Sequence, residues 1–345
     1  MKVLVTGNLG YVGPGVARQL RASHPDARIV GLDAGFFAGC VLERGAQPDA
    51  EVEQIFGDVR EVTERQLASV DAVVHLAGIS NDPIGNAFAD VTMQVNSEAT
   101  LALAAKAKRA GARAFVFASS CSVYGFAEDG ARTESSPVNP LTVYAKSKLA
   151  AEAGLAELAG RDFTVTCLRF ATACGISPRP RLDLVLNDFV AGAVANHEIR
   201  ILSDGSPWRP LIDVRDMARA IDWAIGRVQG GEFLAVNTGS DEWNYQVREL
   251  AQAVAEAIPG TAIRINKNAQ PDQRSYKVSF ALFRRLAPGH QPRINLPECI
   301  AKLRAGLEPG FERERFIRLK TLERLVAEGA LRRDLTWTRP SAAVA

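Results

Sequence analysis

The sequence predicts an α/β fold, a doubly wound parallel sheet followed by a smaller mixed α/β C-terminal unit. Three observations point there. Short runs rich in Val, Ile and Leu alternate with helix-patterned segments from residue 2 to about residue 170. These runs are continuously apolar, as strands covered on both faces are. The first run ends in a glycine-rich turn that opens a helix, the start of a βαβ unit.

In chain order the predicted strands are residues 2–6, 28–32, 52–56, 72–76, 114–118 and 163–169. The helices between them are 12–22, 63–69, a long one within 88–110, and 144–159. Beyond residue 175 the alternation stops. Pro178, Pro180, Pro207 and Pro210 punctuate the chain, and helices are expected over 183–196, 214–227 and 245–257. The division expected is a first domain over 1–174, with 210–238 returning to it, and a second over 175–209 and 239–345. Residues 311–328 carry Phe316, Leu319, Leu322, Leu325 and Val326 at helical spacing with Arg and Lys between, the pattern of an amphipathic closing helix with a solvated basic face.

The 345 residues are 47% hydrophobic and balance 41 Lys+Arg against 39 Asp+Glu. That composition excludes a disordered chain, and a formal charge of +2 gives no electrostatic case for nucleic acid or a membrane surface. Five scattered cysteines (Cys40, Cys121, Cys167, Cys174, Cys299) form no CxxC pair, so a reduced cytoplasmic chain without a metal site is expected. The apolar run Val3-Leu4-Val5 after Lys2 is too short for an export signal, and no stretch has the length of a membrane span.

The turn TGNLGYVG sets Gly7, Gly10 and Gly13 directly after the first strand. Glycines there permit a tight turn, close approach of a pyrophosphate to backbone, and close helix packing, while the helix N-terminus offers free N–H groups. Tyr11 and Val12 lie in the same turn. Asp33 follows 20 residues after Gly13, where a carboxylate accepts from ribose hydroxyls and repels a 2′-phosphate. Ala34, Gly35 and Phe36 supply no arginine for such a phosphate, so NAD is favoured over NADP. Asp58 and Val59, after the third strand, fit the adenine end, although Asp58 is equally readable as a helix N-cap. Leu76, Ala77 and Gly78 close the fourth strand with residues small enough for a cofactor to lie against. His75 reads as a satisfied core histidine.

After the fifth strand come Ser119, Ser120, Cys121, Ser122, Val123, Tyr124 and Gly125, and 20 residues past Tyr124 stands Tyr144 with Lys148. The i, i+4 spacing sets Tyr144 and Lys148 on one helical face. A phenol with a pKa near ~10 needs a neighbouring cation to act as a base at neutral pH, and Lys148 fits that role. Ser120, at the carboxyl end of a central strand, can donate to the substrate oxygen whose proton Tyr144 handles.

TGNLGYVG, the GDV turn, HLAG, SSCSVYG, YAKSK and LRFATACG occur together in this order. With them the sequence resembles the extended short-chain dehydrogenase/reductases, in particular the NAD-dependent nucleotide-sugar epimerase/dehydratase group typified by UDP-glucose 4-epimerase. The resemblance implies a Rossmann domain, bound NAD, catalysis by Ser120, Tyr144 and Lys148, and a homodimer through the helices within 88–110 and 144–159. It sets Asn96 near the cofactor, a position equally suited to capping. It also implies a nucleotide-diphosphate sugar as substrate, held by Ser120, Cys121, Ser122, Thr172, Asn187, Arg209 and Arg274. Asp213 stands where the family motif often has His, and residues 177–181 (SPRPR) line the sugar pocket or merely connect the domains.

In the mechanism so implied, Tyr144 removes a hydroxyl proton while hydride passes to NAD, giving a keto-sugar. Family dehydratases carry an Asp-Glu pair after the catalytic serine or threonine; here Cys121 and Ser122 occupy those positions. Epimerisation is therefore expected ahead of net oxidoreduction, and dehydration is disfavoured. A dinucleotide sensor on the same fold is the non-enzymatic alternative, against which intact Tyr144 and Lys148 speak.

Overall fold

In the computed structural model, residues 1–42, 52–127, 130–229, 232–266, 275–307 and 310–339 are described. Seven parallel strands form the main sheet: β1 (Lys2–Thr6), β2 (Arg28–Asp33), β3 (Val52–Phe56), β4 (Ala72–His75), β5 (Ala114–Ser120), β6 (Thr164–Phe170) and β7 (Phe233–Thr238). Their spatial order is β7-β6-β5-β4-β1-β2-β3. The direction of winding reverses between β1 and β4, where Val5 pairs with Val74 on one side and Gly31 on the other. Ligands of open α/β sheets bind beyond the carboxyl strand ends at such a switch.

One face of the sheet is packed by Val16 and Leu20 of α1 (Gly13–Ser23) and by α5 (Val214–Ile225). The other face carries Leu103 and Ala107 of α2 (Ala99–Arg109) with Ala151 and Leu155 of α3 (Val143–Leu158). Both faces are thus apolar, which is why the strands carry no polar alternation. Gly13 allows α1 to start against the turn, since a Cβ there would stand 2.2 Å from Asn8 O.

The smaller lobe packs α4 (Val185–Asn196), α6 (Val247–Ala257) and α7 (Leu296–Gly306) around Phe189, Leu250 and Ile300. The strands Thr172–Cys174, Trp208–Asp213 and Asn244–Gln246 form a three-stranded sheet at its border. A last helix, α8 (Arg318–Ala327), follows a 3₁₀ turn over Arg313–Phe316.

Three expectations are corrected. Residues 63–69 form no helix but a run of turns closed by i→i+3 bonds, such as Leu67 N to Glu64 O, ending at Ser69 with φ 58°. The segment buries Leu67 but is too short to present an apolar stripe. The long helix within 88–110 is interrupted by a π-turn over Gln94–Glu98, which turns Asn96 inward. The C-terminal helix buries Leu322 as its spacing predicts, but its basic residues are not all solvated: Arg318 is 1% exposed. No helix among the described residues is long and apolar enough to cross a membrane.

Candidate active site

A crevice of about 1020 Å³ opens at the switch point, lined by the glycine turn, the ends of β2, β4 and β5, the N-terminus of α3 and residues of the smaller lobe. Gly7 has φ +72°, and a Cβ on it would meet Ala77 N at 2.6 Å. Glycine is therefore required where the turn passes β4. α1 begins at Gly13 with no side-chain cap, so its first-turn N–H groups are unclaimed by any side chain. Together these make an anion bed bounded by Gly7, Gly10, Tyr11 and Val12.

Asp33 lines the crevice beside that bed, accepting from Leu9 N at 3.0 Å and Gly35 N at 2.7 Å. Burial pushes its carboxyl above the ordinary value, against those two amides. Asp58 and Val59 line the same end. The Asp58 carboxylate caps a short 3₁₀ turn by accepting from Arg60 N and pairs with the Arg60 guanidinium, so capping is realised while the group still borders the crevice. Leu76, Ala77 and Gly78 form the floor. His75 lies beneath it, fully buried, with Nδ1 2.7 Å from Thr6 Oγ1 and Nε2 2.8 Å from Thr100 Oγ1. Thr100 spends its proton on Asn96 O, so it accepts from Nε2–H and leaves Nδ1 to accept from Thr6. Burial lowers the His75 pKa to about 3, and the ring is a neutral structural bridge.

Ser120, Tyr144 and Lys148 converge on the opposite end of the crevice. Ser120 is delivered by β5, hydrogen-bonds the Tyr144 side chain, and accepts from Ser122 N at 3.1 Å. Thr142 caps α3, fixing the helix start that presents Tyr144. Lys148 Nζ donates to Ala118 O at 2.8 Å and stands 5.9 Å from the Tyr144 ring centre. Burial pushes Tyr144 up to about 12, opposed by the Ser120 hydrogen bond and by Arg181. Burial also lowers Lys148 to about 8. The expected acidification by Lys148 is not seen in the protein alone, where desolvation of the phenol dominates.

Behind the pair lies a buried ionic brace. Arg169 and Glu152 pair at 2.7 Å, Ser119 donates to Glu152 at 2.5 Å, and Arg169 Nη1 donates to Tyr124 Oη at 3.0 Å. It ties α3 to β5 and β6 one turn beyond Lys148.

Several expected contacts lie elsewhere. Asn96 is fully buried and does not line the crevice. Its Oδ1 accepts from Ile79 N at 2.7 Å and its Nδ2 donates to Ile79 O and Ser147 Oγ, so it clamps the floor loop to α3. Cys121 faces the core and donates to Arg169 O at 3.0 Å; burial pushes its thiol up, which removes it as a nucleophile or proton donor. Asn187 is 0% exposed, accepting from Gly175 N and donating to Tyr11 Oη and Arg181 O, so its amide is committed to the fold. Ser122, Thr172 and Arg209 do line the crevice. Asp213 caps α5 and holds Arg215. Arg274 lies outside the described residues.

Arg181, at the end of the SPRPR segment expected to line the pocket or connect the domains, does line the crevice, together with Asp183, Ser80 and Tyr276, which the sequence did not single out. Arg181 is bidentate to Asp183 and donates to Ser80 Oγ at 2.9 Å, closing the space above Tyr144. The Arg-x-Asp spacing of residues 181–183 was the available signal. Among the described residues no group of three or more His, Cys, Asp or Glu is arranged to hold a metal.

The model of the NAD dependent epimerase/dehydratase family matches residues 3–239. The chain is 30% identical over 317 residues to UDP-glucose 4-epimerase of Mycolicibacterium smegmatis, covering 88% of this chain and 97% of that one. It is 28% identical over 307 residues to dTDP-glucose 4,6-dehydratase of Streptomyces griseus, covering 87% and 92%. The solved structure of MoeE5 in complex with UDP-glucose and NAD superposes with a TM-score of 0.76 at 26% identity, covering 89% of this chain and 98% of that chain. With a glycine turn, a buried Asp33 and a Ser–Tyr–Lys cluster sharing one crevice, the chain belongs to the NAD-dependent epimerase/dehydratase family.

Proposed function

We propose that the protein is an NAD-retaining nucleotide-sugar epimerase. The observation that carries this reading is the surroundings of Ser120. An elimination needs an acid and a base beside the oxidised carbon, and the next two residues are a core-facing Cys121 and Ser122. Among the described residues, Tyr144 is the titratable side chain that Ser120 acts on.

Bound NAD supplies a hydride acceptor and donor, together with a positive ring that favours the phenolate. The glycine turn and Asp33 fit its diphosphate and ribose, and Leu76 to Gly78 leave room for the rest. Tyr144 takes the proton of a sugar hydroxyl while Ser120 orients that oxygen. The resulting keto-sugar turns over and regains its proton from Tyr144 after hydride returns to the other face. Lys148 holds the end of β5 through Ala118 O and keeps a cation near the phenol. Arg209 at the outer end of the crevice suits a sugar diphosphate. Dimerisation through α2 and α3 belongs to the same reading, and sedimentation of the purified protein checks it.

The test is turnover of UDP-glucose, UDP-N-acetylglucosamine, UDP-glucuronate and dTDP-glucose in D₂O without added cofactor. Epimerisation yields an isomeric nucleotide sugar with no deuterium on carbon, because the same hydride returns. Deuterium at a sugar carbon with loss of water establishes dehydration instead. A strict requirement for stoichiometric NADH establishes a ketoreductase.

A further inference from the structure

The crevice has a roof built by chain far from the glycine turn. Residues 313–338 run back over the cofactor half and bury Leu322, Leu331 and Leu335 against Ile79, Ile84 and Val91. Trp337 Nε1 donates to Ala34 O at 2.7 Å, and its ring centre lies 5.8 Å from that of Phe36. Arg60 Nη1 donates to Asp334 O at 2.9 Å. The segment is thereby fastened to the residues just past Asp33.

What it delivers is Arg318. This side chain lines the crevice although only 1% of the residue is exposed. The guanidinium stands 4.4 Å above the Phe37 ring centre, and Nη2 donates to Arg179 O at 3.1 Å. Nη1 is buried and has no acceptor among the described residues. Arg179, 7% exposed, likewise leaves Nε without one. The nearby carboxylates are committed: Asp183 to Arg181, and Asp33 to two backbone amides. Three buried guanidiniums therefore face two engaged carboxylates. Burial, with Arg181 adding to it and Cys40 and Asp183 only partly opposing it, lowers Arg318 to about 10, the direction expected of a cation that burial outweighs. A buried donor without an acceptor calls for an explanation, and a missing ligand oxygen is one.

Position identifies the ligand chemistry. Arg179, whose carbonyl holds Arg318, lies two residues from Ser177, and Ser177 Oγ donates to Tyr11 O in the glycine turn at 2.7 Å. Asp33 lies on the adenosine side, and Arg181 reaches across to Ser80 on the other. Arg318 thus lines the same crevice as the glycine turn, close enough to both Asp33 and Asp183 for its charge to act on them.

We propose that Arg318 is an anion-binding residue for the diphosphate bridge of the bound dinucleotide, and that residues 313–338 thereby lock NAD in the crevice between turnovers. The planar fork suits two diphosphate oxygens while the turn amides take others. A locked cofactor is what an enzyme needs when it returns its own hydride. The inference requires NAD binding but not epimerisation, so its test reads the cofactor without turnover.

The experiment compares wild-type holoenzyme with R318Q, which keeps a donor for Arg179 O and loses the charge. Release of bound NAD is followed by exchange against a fluorescent NAD analogue, and melting is measured with and without NAD. Release is expected to speed up by about tenfold to a hundredfold, the range for one charge-assisted hydrogen bond. The cofactor-free variant should melt no lower than the cofactor-free wild type, because a buried uncompensated charge is gone, while the rise in melting temperature on adding NAD shrinks. A merely structural Arg318 would lower both melting points equally, and that result overturns the proposal. So does unchanged NAD release with weakened binding of the sugar nucleotide, which would assign the guanidinium to the other diphosphate. Should R318Q fail to fold, W337A unfastens the segment without touching Arg318. Faster NAD release from W337A supports the proposal, and wild-type release overturns it.

Discussion

The floor of the crevice and its roof enclose the same space by different means. The floor comes from strand ends and α3, and apart from Ser122 Oγ its polar side chains answer one another: Asn96 satisfies both backbone groups of Ile79, and Arg169, Glu152, Ser119 and Tyr124 close a buried network. The roof comes from residues 177–183 and 313–338, and it leaves guanidinium nitrogens of Arg179, Arg313 and Arg318 without acceptors. A satisfied polar network rigidifies, whereas a buried donor without an acceptor is costly and calls for an explanation. The floor is therefore the better-satisfied wall of the crevice, and the roof the wall that the proposed role of Arg318 would engage.

The largest effect expected is at the floor's reacting atom. Tyr144→Phe should reduce turnover by about a hundredfold to ten-thousandfold, the usual worth of a positioned proton-transfer group. NAD content and melting temperature should stay near wild type, since the hydroxyl's partner Ser120 keeps Ser122 N. Assay of the purified variant with the panel of nucleotide sugars checks this, and full activity removes Tyr144 from the mechanism.

Next comes the brace behind it. Arg169→Met leaves the Glu152 carboxylate buried without its cation, and breaking such a pair costs about 3–5 kcal/mol. Urea unfolding reads the loss directly. A cost below about 1 kcal/mol would mean that the network is far wetter than the burial of Arg169 and Glu152 indicates. Asn96→Ala should cost about 1–3 kcal/mol by orphaning the N–H and C=O of Ile79. Its turnover should fall as well, because the floor loop loses its tie to α3 through Ser147.

These two walls were unequally legible in the sequence. The floor could be read because its determinants are local: continuous apolar runs for parallel strands, a glycine turn, and a Tyr–Lys pair one helical turn apart. Asp33, Ser120, Tyr144 and Lys148 sit in such windows and reach the crevice. The roof could not, because Arg318 meets Arg179 and Phe37 across more than a hundred residues of chain. At helical spacing Arg318 resembles any surface arginine. Asn187 and Cys121 show a different limit. Both lie close to the site in sequence pattern, yet the one is used up by Gly175 and Tyr11 and the other points into the core. Motifs locate a backbone, while only packing decides which way a side chain faces. The helix expected over residues 63–69 failed for a related reason, since seven residues that bury one leucine satisfy themselves with turns.

The floor also makes a pH prediction. His75 has a folded pKa of about 3 against an ordinary 6.5, owing chiefly to burial. Between those values the unfolded chain takes up a proton that the folded chain refuses. The stability contributed by neutral His75 is therefore complete above pH 6.5 and declines as pH falls toward 3, by up to about 1.4 kcal/mol per unit. Urea midpoints at pH 7, 6 and 5 should decline accordingly, and His75→Gln should flatten the lower part of that curve.

The smallest effect sharpens the contrast most, because it sets one ion pair against another of the same chemistry. On the roof Arg313 pairs with Asp188 of α4, with side chains 38% and 32% exposed, against 9% and 4% for Arg169 and Glu152. Water reaches both side chains of the roof pair, so its Coulomb gain is screened, although Arg313 Nε itself is buried. Asp188→Asn should then cost at most about 1 kcal/mol in urea unfolding, and less in high salt. If Asp188→Asn costs as much as Arg169→Met, the roof is as rigid and closed as the floor, and residues 313–338 form a permanent wall.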